Sequence, residues 1–167
     1  GTGGYSNGTA LEPTNLGSGG GSCLGYYGGG GGGAIRINAT IIDNRGQIIA
    51  NGLVGEGNAT AYSDRAGGGG SGGSIWIIAP NLSSPGNITA IGGAGYDTTA
   101  DGGGGGGGRI HIYAQNITFS GTLSSKFGLG GNGATNGQNG TIVTEFSGSI
   151  NMTGANFTSP VMLARNN

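Results

Sequence analysis

The pattern Asn-x-Ser/Thr occurs nine times, at Asn7, Asn38, Asn58, Asn81, Asn87, Asn116, Asn139, Asn151 and Asn156. The chemistry it offers is N-linked glycosylation, and attached glycans imply a secreted or cell-surface protein. A chain rich in asparagine also admits an alternative, in which the amides stack as an internal side-chain ladder. Other reactive groups are sparse. The seven acidic residues are Glu12, Asp43, Glu56, Asp64, Asp97, Asp101 and Glu145. None forms a close pair in sequence, although folding could bring Asp64 with Arg65, or Asp97 with Asp101, to a groove. The plainer reading is solvated turn residues. His111 is the only histidine and Cys23 the only thiol, which leaves no metal site of His and Cys ligands and no Ser/His nucleophile with obvious partners. Cys23 reads as a small buried side chain, with an intermolecular bridge as the alternative. No loop has the alternating Asp pattern of a calcium site. The glycine runs lack the Lys-Ser/Thr that completes a phosphate-binding loop. The expectation is a non-enzyme with no cofactor.

The elements that must position these groups are internal copies. Counted from the last glycine of each run, residues 33–52, 73–92 and 108–127 align without a gap. Ile35, Ile75 and Ile110 share one column, and Ile37, Ile77 and Ile112 share another two residues on. That alternation is a strand signal. Further along come Ile42, Leu82 and Ile117, then Gly46, Gly86 and Gly121, then Ile48, Ile88 and Leu123. Each copy therefore reads as strand, bend, strand, glycine turn, strand. A shortened fourth copy opens at Gly140-Thr141-Ile142-Val143-Thr144, as terminal repeats often do. Asn38, Asn81 and Asn116 fall near the same bend, which suggests a row of glycans. If Ile35 and Ile37 point inward, Arg36, Trp76 and His111 point outward as an exposed strip. Such a strip suits a sugar or a neighbouring subunit, or satisfies itself by cation–π contact.

Composition sets outer limits. The 45 glycines would ordinarily suggest disorder. Yet all sixteen isoleucines fall inside the four copies, concentrated where packing can bury them. Charged residues make up 8% of the chain with a net charge of -1, too little for self-repulsion to keep it expanded and too few cations for nucleic acid or an anionic membrane. No window approaches the ~18 consecutive apolar residues of a transmembrane helix. Helix formers are scarce, β-branched residues dominate the patterned windows, and glycine interrupts every stretch of helical length. Because each run recurs at the same offset before a strand, a flexible linker is the weaker explanation for it. Two ordered arrangements fit: tight bends where backbone passes backbone, or extended threefold helices lying side by side.

The motif Gly32-Gly33-Ala34-Ile35 resembles the repeat of the polymorphic outer-membrane proteins of intracellular bacteria. More broadly, it is similar to the glycine-rich repeats of large secreted adhesins that fold as parallel β-helices. The long runs resemble the polyglycine helices of some phage tail-tip adhesins. The resemblance implies an all-β chain folded as a parallel β-helix, or β-solenoid, of three to four repeats.

The resulting expectation is a leading segment or cap at 1–27, repeats over 28–148 and a C-terminal tail over 149–167 that makes an assembly contact. Low charge, few functional side chains and abundant glycine favour a secreted, glycosylated structural protein of the cell surface: a filament subunit, surface-layer component or adhesin stalk that meets copies of itself. The second expectation is an adhesin module that binds carbohydrate or a receptor through Arg36, Trp76 and His111. A polysaccharide-degrading enzyme comes third.

Overall fold

The computed structural model describes residues 1–6, 8–58, 65–97 and 99–166. Among them there is no helix; the chain is all-β. The strands are β1 (Ala34–Asn38), β2 (Ile41–Asp43), β3 (Gln47–Ile49), β4 (Gly57–Asn58), β5 (Arg65–Ala66), β6 (Ser74–Ser84), β7 (Asn87–Thr89), β8 (Arg109–Phe119), β9 (Thr122–Ser124), β10 (Thr141–Phe146), β11 (Ile150–Asn151), β12 (Asn156–Phe157) and β13 (Val161–Arg165). A seven-stranded parallel sheet has the order β1-β6-β8-β10-β13, with β2 beside β6 and β11 beside β8. A four-stranded parallel sheet has the order β12-β9-β7-β3. β4 and β5 form a separate antiparallel pair.

Alternation builds the core. Ile75 and Ile77 of β6 and Ile110 and Ile112 of β8 face inward and are fully buried. They meet Ile88 of β7 and Leu123 of β9 from the other sheet in one apolar cluster. Each such side chain contributes roughly 1.5–3 kcal/mol by leaving water. The columns read from the sequence reappear in the strand register, Ile35 opposite Ile75 and Ile75 opposite Ile110.

The parallel β-helix expected from the sequence is not what forms. The strands lie in two parallel sheets packed on a common core. The reason lies at the bend read between the first and second strands of each copy. At Pro80-Asn81 and Gln115-Asn116 two successive residues are exposed, so the inward parity shifts while the strand continues as the 11-residue β6 and β8. Pro80 lacks an amide hydrogen and interrupts the ladder only locally; pairing resumes at Asn81 opposite Asn116. In the second and third copies what reads as two strands and a corner is one strand, and in the first copy the separate β1 and β2 both pair with β6, so the three strands read per repeat fall into two sheets.

The glycine runs belong to neither sheet. Their amides follow a period of three. Gly67, Gly70 and Gly73 donate to the carbonyls of Glu56, Leu53 and Ala50; Gly68 and Ser71 donate to Gly21 and Ser18; Gly69 and Gly72 donate to Gly103 and Gly106, all at 2.7–2.9 Å. The next run repeats the scheme, with Gly102, Gly105 and Gly108 donating to Tyr96, Gly93 and Ala90, and Gly104 and Gly107 to Thr135 and Gln138. Three residues per turn, no internal hydrogen bonds and φ outside the positive region define a left-handed extended helix. These helices form a block bonded in three directions. Each bond, worth ~1 kcal/mol, offsets the ~0.5–1 kcal/mol that ordering a glycine costs relative to alanine. The leading segment joins the block, Gly4 bonding to Gly104 and Gly17 and Gly20 to Gly32 and Gly29.

Candidate functional site

The outward columns of the seven-stranded sheet carry the chemistry. Register places Arg36, Trp76, His111, Val143 and Met162 side by side. Two residues further along, Asn38, Ile78, Tyr113, Glu145 and Ala164 form a second column. The Arg36 guanidinium lies 4.4 Å from the centre of the Trp76 ring. The Trp76 and His111 rings are 6.5 Å apart and within 12° of parallel.

The strip is not uniformly exposed. Arg36 faces solvent, Trp76 is half-buried and His111 is 5% exposed. The chain before β1 crosses this face, tied down where Arg109 Nε donates to the Gly8 carbonyl at 3.2 Å and Ser74 Oγ to the Asn15 carbonyl at 2.7 Å. Pro13 is buried there. Between this crossing and the sheet lies a cleft of about 350 Å³, lined by Leu11, Glu12, Trp76, Ile78, His111, Tyr113 and Glu145. Tyr113 and Glu145 were legible by stepping two residues along the strip; nothing in the repeat pattern points to Leu11 or Glu12.

Neither ring nitrogen of His111 has a hydrogen-bond partner. Its Nε2 stands 3.8 Å from Glu145 Oε2, too far for a hydrogen bond. Burial pushes the His111 pKa below its ordinary value, while the Glu145 and Glu12 carboxylates oppose that shift. The sign follows from linkage. The native state resists a proton that the unfolded chain accepts, so His111 contributes stability at pH above ~6.5, and that contribution is lost as pH falls toward the lowered native value. The urea midpoint should therefore drop between pH 7.5 and 5.5, and His111→Gln should flatten that part of the profile. An unchanged profile would contradict the assignment.

The remaining sites are placed as follows. Asn81 and Asn116 are neighbours in register, exposed, with Asn116 Nδ2 donating to Asn81 Oδ1 at 3.1 Å; Asn38 is off that row, opposite Ile78. Asn116 Oδ1 also accepts from Ser149. Asn87, Asn139 and Asn151 accept from the amides of Thr122, Phe127 and Thr153. Asn156 is exposed, Asn58 half-buried, and Asn7 lies outside the described residues, as does Asp64. Arg65 donates to the Leu24 carbonyl. Asp97 and Asp101 accept the amides of Asn132 and Gly133, so both hold a turn. Cys23 is a half-buried free thiol. No three His, Cys, Asp or Glu side chains converge among the described residues, and those residues include no helix long and apolar enough to cross a membrane.

The second feature is a pair of open edges. β1 ends the seven-stranded sheet on one side and β13 on the other; β3 and β12 do the same for the four-stranded sheet. Ile41 and Ile49 are exposed at the first end, Phe157, Met162 and Leu163 at the second. Comparison with known proteins finds no matching family model, no significantly similar curated protein and no significantly similar solved structure.

Proposed function

We propose that this chain is an extracellular structural glycoprotein whose copies join head to tail through the open edges of their parallel sheets. The observation that carries this reading is a column of glycines. A Cβ on Gly73, Gly108 or Gly140 would stand 1.8–2.0 Å from the carbonyl oxygen of Gly33, Gly73 or Gly108 respectively, one row back. Those three must be glycine. Gly33 heads the same column and a Cβ there would meet nothing. Gly46 likewise heads the column of Gly86 and Gly121, whose added Cβ atoms would meet the carbonyls of Gly46 and Gly86. Two first-row positions thus keep the residue that only a preceding row would require.

The far end supplies such a row. Continuing the register past β13 sets Val161 and Leu163 against Ile35 and Ile37 of the next copy. Leu163 stands in the inward column with Ile112 and Thr144, yet is 56% exposed. Unpaired strand edges recruit strands, and a contact between two different surfaces repeats without closing unless its rotation forms a ring. Leu163→Asp should leave the circular dichroism unchanged and abolish assembly, because it buries a charge at the junction. Assembly that survives the substitution would overturn this route.

Exposed Asn38, Asn81, Asn116 and Asn156 support the glycoprotein part. Protein from its native source should weigh more than the 16.0 kDa of the chain; a bare intact mass would remove glycosylation from the proposal. The cleft favours a second reading, a binding module, in which assembly would multiply one ligand site along a filament.

A further inference from the structure

We infer that the cleft between the leading segment and the seven-stranded sheet binds a small organic ammonium group attached to an apolar body. The walls are apolar where Leu11, Ile78 and Tyr113 contribute, and they carry two carboxylates, Glu12 and Glu145. No lysine or arginine lines it. Arg36, the nearest cation in the strip, is committed to the Trp76 ring. His111 follows Trp76 on the opposite flank in register, with ring centres 6.5 Å apart and planes within 12° of parallel. With Arg36 already over the indole, the groups that recognise positive charge in the cleft are the two carboxylates.

The decisive group is His111. It is more than nine-tenths buried, lines the cleft, and has both nitrogens without a partner. Neutral imidazole offers one acceptor and one donor; both nitrogens are closed off from the surface, so an ammonium supplies the proton that the acceptor lacks once the ring turns toward the cleft. Glu12 is held at φ 53° immediately before the buried Pro13, an uncommon backbone for a residue that is not glycine. That turn sets its carboxylate at the cleft opposite the sheet-borne Glu145. Glu145 is 21% exposed and accepts from Asn166 Nδ2 at 3.2 Å, and Glu12 is exposed; an ammonium is complementary to both carboxylates, whereas a neutral sugar is not. The space of about 350 Å³ is at the small end of ligand pockets.

Trp76 is the only tryptophan, so its fluorescence reports the cleft directly. The full chain is titrated at pH 7.5 and low salt with 2-phenylethylamine, with the uncharged 2-phenylethanol, and with methyl β-glucoside. The amine should give a saturable change, with the alcohol at least tenfold weaker and the glucoside weaker still. Glu145→Gln, which keeps the shape of the side chain, should weaken the amine about tenfold, and Glu12→Gln should act in the same direction. Equal binding of amine and alcohol, tighter binding of the glucoside, or an unchanged affinity in both variants would overturn the proposal. The result is independent of head-to-tail assembly, because Leu163→Asp chains can be titrated in the same way.

Discussion

Gly70→Ala should cost at least ~3 kcal/mol of stability, the upper end of overpacking penalties, while Gly21→Ala should change it by less than ~0.5 kcal/mol, as at an ordinary surface position. Both residues sit in the polyglycine block. A Cβ on Gly70 would stand 2.1 Å from the carbonyl oxygen of Gly30 and 2.6 Å from that of Gly29, whereas one on Gly21 would meet nothing within 4 Å. The obstructing atoms at Gly70 are backbone, so no side chain can swing aside. The backbone cannot yield either, because Gly29, Gly32 and Leu53 are bonded to Gly68, Ser71 and Gly30. Relieving one contact therefore strains bonds in a second direction. Thermal melts read the difference directly: ~3 kcal/mol corresponds to a drop of ~6–12 °C in a chain of this size. Equal melting of the two variants would mean that the runs are loose linkers. Gly105→Ala, facing the Gly70 carbonyl at 2.0 Å, should behave like Gly70→Ala.

That block was only half legible in the sequence. The recurrence of each run at a fixed offset before Ala34, Ser74 and Arg109 marks it as ordered. The choice between bends and threefold helices depends on partners brought from far along the chain, Leu53 and Ser18 for the run at 67–73. The isoleucine columns were legible because inward and outward positions alternate through the opening part of each copy, and strand register reproduces them. The β-helix was misread at Pro80 and Gln115. Two adjacent outward residues look like a corner in sequence, but a parity shift within one parallel strand produces the same pattern. At the cleft, the repeat pattern brought Arg36, Trp76 and His111 together but not their cover. Leu11, Glu12 and Pro13 lie in a segment without repeats, and a crossing fixed by Ser74 and Arg109 to backbone carbonyls leaves no sequence signature.

The other large effect concerns assembly. Gly33→Ala with Gly46→Ala should leave the folded chain as stable as the parent or slightly more so, since a compatible Gly→Ala change removes freedom from the unfolded chain and gains ~0.4–1 kcal/mol. The same double variant should not assemble. In the rows behind them, the corresponding Cβ atoms would stand 1.9 Å from the Gly33 carbonyl at Gly73 and 2.2 Å from the Gly46 carbonyl at Gly86. If another copy stacks on β1 and β3 as β6 and β7 stack within the chain, its carbonyls must approach Gly33 and Gly46 as closely. Loss of assembly with an unchanged melting curve separates a junction defect from a folding defect. Loss of both would place these glycines among the internal contacts.

The head-to-tail account is tested most directly by negative-stain electron microscopy of the full chain at high concentration, beside the Gly33→Ala, Gly46→Ala double variant. The account predicts polar filaments of uniform width for the parent and dispersed monomers for the variant. A parent chain that stays monomeric at every concentration, or a variant that forms the same filaments, would contradict it.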